Sequence, residues 1–286
     1  MCEMKPMPQN PKLAADLALL DRVAADLKSA AGENWQHRRY GIAVSGGPDS
    51  MALLWLMTSL LPDQVAAATV DHGFRKASAD EARMVASYCR REHIQHDILN
   101  PPQPIEGSLQ AAARAERYRL LDKWRQAQNL DFIVTAHHAD DQLETLLMRL
   151  NRSSGVAGLS GVRRRNGPIL RPLLGWRRSE LLNITLSEDI PFIDDPSNSD
   201  QRFDRARLRQ ALKGQGFIDV EAASKSAAWL AEADDALDWA VDQAMALWPA
   251  SDAAGEDVTH LIYDNGYPPE IFRRILTRRL ASTTRN

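Results

Sequence analysis

Apolar residues recur at three- and four-residue spacing over residues 13–30 (LAADLALLDRVAADLKSA), which predicts an opening helix. The pattern then breaks into short unbroken apolar runs. Residues 41–44 (GIAV) predict a strand, 51–61 an apolar helix ended by Pro62, and 65–70 (VAAATV) a second buried strand closed by Asp71, His72 and Gly73. Ser78 with Glu81 three positions on reads as a capping box opening a helix to about His93. Residues 96–99 predict a third strand, Pro101, Pro102 and Pro104 a stiff connection, and 106–128 a long helix. A fourth strand, 131–136 (DFIVTA), runs into His137 and His138 and then a helix over 140–151. Short apolar strands alternating with helices imply an α/β fold with a parallel sheet covered on both faces. Such sheets bind ligands beyond the carboxyl ends of their strands. Three polar clusters, SGGPDS, DHG and HHADD, each follow a predicted strand and are expected to converge on one rim.

Beyond Asn151 the periodicity changes. Residues 153–161 (SSGVAGLSG) predict a flexible loop, 162–174 a hairpin turning at Asn166-Gly167, 179–188 a short helix, and 194–198 (DDPSN) a turn cluster. From about Arg205 the chain reads as helices, Ala-rich over 222–246. The expected division is a catalytic domain over 1–212 and a small helical domain over 213–286.

Composition narrows the class. In 286 residues, 44% apolar and 26% charged describe a globular chain with a substantial core, and no apolar run is long enough to span a membrane. The start does not read as a signal peptide, and two cysteines are too few for a disulfide framework, so a cytoplasmic setting is expected. The net charge of −3 argues weakly against nucleic acid, but residues 163–178 hold six arginines and no acid. That strip, with Arg205, Arg207 and Arg209, predicts contacts to an RNA backbone; a solvated basic face is the plain alternative.

The hexapeptide Ser45-Gly46-Gly47-Pro48-Asp49-Ser50 sits between a strand and a helix. Its glycines let backbone approach an anion, and the helix start adds amides and a favourable dipole. Asp49 would repel phosphates unless a cation sits between them, which points to Mg²⁺. The loop lacks the Gly-Lys-Ser/Thr ending of a Walker loop. Asp141 and Glu144, three apart on a helix, share a face, and Arg114 and Arg117 have the same spacing. The His pair with Asp140 and Asp141 also admits a zinc reading.

SGGPDS resembles the PP-loop of the N-type ATP pyrophosphatases, which split ATP to AMP and pyrophosphate. The segments VDHGFR (70–75), ARAERY (113–118), TAHHADDQLET (135–145), RPLL (171–174) and DPSN (195–198) resemble, in order, those of the tRNA(Ile)-lysidine synthetase family. The resemblance implies an adenine nucleotide alpha hydrolase-like domain with ATP as substrate and Mg²⁺ as cofactor. It implies ligation of free L-lysine to the wobble cytidine in the CAU anticodon of isoleucine tRNA. It further implies catalytic roles for Asp49, His137, Asp141, Glu144 and Arg114. ATP contacts would come from Ser45, Gly46, Gly47, Pro48, Asp49, Ser50, Asp71 and His72, and metal contacts from Asp49 and Asp141. A homodimer and a membrane-free life are part of the same expectation. The chain departs from the family at Ser153, where glycine is usual, and at Ala206, where asparagine is usual. A tRNA thiolase, an amidotransferase-type ligase and a non-catalytic RNA-binding module are the competing readings.

Overall fold

The computed structural model describes residues 11–71, 76–101, 109–193, 204–212, 214, 216–247 and 266–283. Helix α1 (Pro11–Ala31) precedes β1 (Tyr40–Ala43), α2 (Pro48–Leu60), β2 (Val65–Val70), α3 (Lys76–Arg91), β3 (Gln95–Leu99), α4 (Leu109–Ala127), β4 (Phe132–Val134) and α5 (Ala139–Leu150). Then come α6 (Val156–Leu159), the hairpin strands β5 (Arg165–Asn166) and β6 (Ile169–Leu170), α7 (Arg178–Ser187), α8 (Asp204–Leu212), α9 (Val220–Leu247) and α10 (Pro269–Thr283).

The six strands lie in the order β3-β2-β1-β4-β6-β5, parallel except for the β5–β6 hairpin. Tyr40 of β1 pairs with Val65 of β2 on one side and Phe132 of β4 on the other. The chain winds outward from β1 through β2 to β3, then returns to the other side as β4. The winding therefore reverses between β1 and β4, and a crevice opens where the loops after these two strands diverge.

Both sheet faces are covered. On one, Ile42 and Val44 pack with Val23 and Leu27 of α1, Met51 and Leu54 of α2, Val85 of α3 and Leu181 of α7. On the other, Ala43, Ala66, Ala68 and Ile133 receive Leu121 and Trp124 of α4. The small strand residues let α4 come close: a Cβ at Gly41 would stand 2.4 Å from the Trp124 ring. At the chain's end, α9 packs along α5 and α6, and α10 joins it through Val241, Ala244, Ile271 and Ile275.

Three expectations change. Ser78 lies inside α3, which already includes Lys76, so it is not the helix's N-cap. The loop over 153–161 holds the short helix α6, which packs on α9. The turn cluster at 194–198 lies outside the described residues.

Candidate active site

The loop after β1 is shaped by two features. Gly46 takes φ +83°, a left-handed conformation that a side chain disfavours. Ser50, buried on the first turn of α2, staples the loop: its Oγ accepts from the Ser45 amide (3.1 Å), donates to the Gly47 carbonyl (2.9 Å) and lies 3.2 Å from the Ser45 Oγ. Gly47 is the N-cap of α2 and Pro48 takes the first helical position, where its missing N–H costs nothing.

Across the crevice, the end of β4 presents His137 and His138. The His137 Nδ1 lies 2.9 Å from the Thr135 Oγ1, which orients the ring. His138 is the N-cap of α5, and its Nδ1 accepts from the Asp141 amide (3.3 Å) while Asp141 accepts from the His138 amide (3.1 Å). The His138 Nε2 lies 3.6 Å from both Asp49 and Asp141. Burial works against a charged His138 ring, but the Asp49, Asp141 and Asp140 carboxylates outweigh it and hold its pKa above the ordinary value.

A cavity of about 490 Å³ opens between these loops, lined by Ser45, Gly47, Pro48, Asp49, Ser50, Arg114, Arg117, His137, Asp141 and Arg178. Arg114 sits over the Tyr118 ring at 5.1 Å. Arg117 has no acid partner among the described residues; burial and the Arg114 charge lower its pKa, with Tyr118 opposing, yet a guanidinium stays charged at neutral pH. Three cations and two carboxylates thus face one space. Asp49 Oδ1 is buried without a hydrogen-bond partner. Among the described residues, no group of three or more His, Cys, Asp or Glu is arranged as a metal site.

Glu144 departs from expectation. It is buried at 3% exposure and held by Arg209 of α8 through bonds of 2.7 and 3.1 Å. It opens with Arg209, Asp140, Arg177 and Asp219 on a second cavity of about 570 Å³. Arg178 lines both cavities. Asp140 is committed to structure: it accepts from the Arg178 amide (2.8 Å) and pairs with Arg177, and these contacts hold its pKa low against the opposing effect of burial. Asp71 follows β2 but is not part of the first cavity's lining; Gly46 is buried behind it, and His72 lies outside the described residues.

The basic strip is mostly spent inside the protein. Arg163 bonds the Ala231 carbonyl and pairs with Asp234 and Asp235 of α9; Arg164 pairs with Asp26 of α1 (3.0 Å); Arg171 is buried against the Arg163 carbonyl. Arg165 is exposed, stacked on Phe132. The strip therefore serves first to bind hairpin, α1 and α9 together. The side chain of Arg205 lies outside the described residues, and Arg209 is taken by Glu144.

The profile of the PP-loop domain family matches residues 19–215. The tRNA(Ile)-lysidine synthase of Novosphingobium aromaticivorans is 41% identical over 85% of this chain and 74% of its own length. The chain belongs to the tRNA(Ile)-lysidine synthases. The synthase of Zymomonas mobilis is 38% identical over 87% of this chain and 77% of its own length. Among solved structures, the U34-tRNA thiolase NcsA from Methanococcus maripaludis superposes with a TM-score of 0.58 at 14% identity, covering 74% of this chain and 78% of that one. That likeness carries the fold alone. Set in a lysidine synthase, the site's two unforeseen members are Arg178 and His138. Arg178 was legible only as one of the arginines of the 163–178 strip, which gave no reason to set it apart from Arg177 beside it. His138 had a sequence signal, since it precedes Asp141 by the three residues that a capping box requires.

Proposed function

We propose that this ligase joins the two halves of its reaction across the β1–β4 crevice, with ATP in the first cavity and free L-lysine in the second. The cytidine carbonyl oxygen attacks the α-phosphorus of ATP; an O–P bond forms, the bond to the bridging oxygen breaks, and pyrophosphate leaves. The lysine ε-amine, its proton given up, then attacks carbon 2; the C–N bond forms, the C–O bond breaks, and AMP leaves. The modified anticodon reads AUA in place of AUG.

The pyrophosphate end of ATP fits the loop over residues 45–50, where α2's first turn supplies amides and dipole. Arg114, Arg117 and Arg178 add charge at the reacting phosphate. His137, oriented by Thr135, belongs to the reacting end. Asp49 and Asp141 suit Mg²⁺, since both carboxylates face the phosphate cavity and Asp49 has a buried oxygen without a partner. The ion would supply charge neutralisation on the triphosphate.

The second cavity offers what an amino acid needs: Glu144 and Asp219 for ammonium groups, and Arg178 for a carboxylate. The single observation that carries this reading is Arg178, the residue common to both cavities. No helix among the described residues is long and apolar enough to cross a membrane. A cytoplasmic location, a homodimer and a separate helical unit over 213–286 belong to the same reading.

Pyrophosphate release from ATP tests it. Release should require both lysine and the CAU tRNA; release with ammonia or glutamine and no RNA would sink the assignment. Asp49→Asn should lose turnover by about 10²–10³-fold, the order seen when a charge-stabilising group is removed, while tRNA binding by filter retention persists. Equal loss of both would make Asp49 structural.

A further inference from the structure

We propose that His138 is a positioning residue that holds Asp49 and Asp141 together across the crevice through its Nε2, a task separate from its capping of α5. This deepens the reading above and rests on it for the roles of Asp49 and Asp141. His138 is 3% exposed, so its ring nitrogens must be satisfied by protein. Nδ1 faces the Asp141 amide at 3.3 Å, so the ring nitrogen turned toward the two carboxylates is Nε2. The Nε2 atom lies 3.6 Å from an oxygen of Asp49 and 3.6 Å from one of Asp141, longer than a hydrogen bond, so it acts on both as a shared electrostatic contact.

The two carboxylates come from different elements, Asp49 from the first turn of α2 and Asp141 from that of α5. The pairing of β1 with β4 sets the register of the strands that lead into these elements, while like charges push the two carboxylates apart. His138 places one ring nitrogen between them. The Asp141 oxygen facing Nε2 also takes the His138 amide at 3.1 Å, so backbone and ring fix that carboxylate from two directions. Asp140, the remaining acid near the ring at 3.7 Å from Nδ1, is committed to the Arg178 amide and to Arg177. Among the described residues, the acids that face Nε2 are Asp49 and Asp141, and it is through these two that His138 acts on the substrates.

Two substitutions separate the cap from the bridge. Asparagine places its Oδ1 where Nδ1 stands and is among the best N-cap residues. It has nothing at Nε2. Glutamine places an amide N–H near Nε2 but reaches Nδ1 poorly. The expectation for His138→Asn is a melting temperature close to the parent's, with kcat for lysidine formation lower by about 10²-fold, the order that a small misplacement of reacting groups costs. His138→Gln should recover most of that loss even where it melts lower. A third measurement needs no turnover: affinity for a non-hydrolysable ATP analogue with Mg²⁺ present, by calorimetry. His138→Asn should weaken it in the parent background and leave it unchanged in Asp49→Ala, because the bridge is already void there.

Full kcat in a folded His138→Asn protein would overturn the proposal, as would equal inactivity of the Asn and Gln variants with unchanged analogue affinity. Should His138→Asn fail to fold, a glutamine variant no better than alanine overturns it, and one that restores kcat above alanine supports it. Turnover of the parent enzyme with lysine and tRNA is the control; its failure would count against the functional reading and not against the role of His138.

Discussion

Asp141 and Glu144 sit three positions apart on α5, yet they open on different cavities. The spacing correctly placed both on one side of the helix; it could not show that Arg209 pairs with Glu144, because α8 lies some sixty residues further along the chain. Loss of activity in a Glu144 variant therefore reports a broken ion pair as well as a lost ligand. Ser153 is a second case. Glycine is usual at this position in the family, and here the serine takes φ +53°, a region that costs a non-glycine residue about 1–2 kcal/mol. Glycine also makes the unfolded chain looser by about 0.4–1 kcal/mol. Ser153→Gly should thus stabilise the protein by up to about 1 kcal/mol in urea denaturation, with turnover unchanged.

Among the elements, α10 is held to α9 by an apolar seam and by two arginines, of which Arg278 pairs with Asp238 and Asp242. Arg274 is nearly buried and bonds Asp234 (2.5 Å), Asp238 and Glu270 (both 2.8 Å). Hydrogen bonds from Arg273 and Arg274 lower the pKa of Glu270 from 4.5 to about 2. A carboxylate whose pKa is depressed on folding stabilises above its unfolded value and loses that contribution as pH falls. The first turn of α10, where these pairs lie, should therefore loosen between about pH 4.5 and about pH 2, seen as faster amide exchange around residues 270–274. In Glu270→Gln this pH step should be smaller. Asp234 also receives Arg163 of the basic strip, so the same acid ties α9 both to the hairpin and to α10. The strip's arginines were legible as a charge run, but their partners lie in α1 and α9, remote in sequence.

For the whole molecule, packing density rather than chemistry sets the behaviour of Cys89. It is fully buried in the main core, and burial pushes its thiol pKa up to about 12. In a Cys2→Ser background Cys89 should resist thiol reagents in native buffer and react at the rate of unfolding as denaturant rises; fast native labelling would mean that the core around α3 opens locally. The strands, the helices that cover both faces and the loop over 45–50 were readable from the chain because each depends on local periodicity, on glycine conformation or on short-range turns; the order β3-β2-β1-β4-β6-β5 was not, because it is set by pairing between segments distant in sequence. The convergence of SGGPDS with HHADD was readable too, since parallel strands place successive loops on one rim. Tertiary structure decided the rest. It set which arginines are spent on internal acids, divided Asp141 from Glu144, and put Arg178 between two cavities and His138 between two carboxylates. The reason is physical: these pairings join groups from elements distant in sequence, and their energy depends on distance and burial that exist only once the sheet has formed and the helices have closed over it.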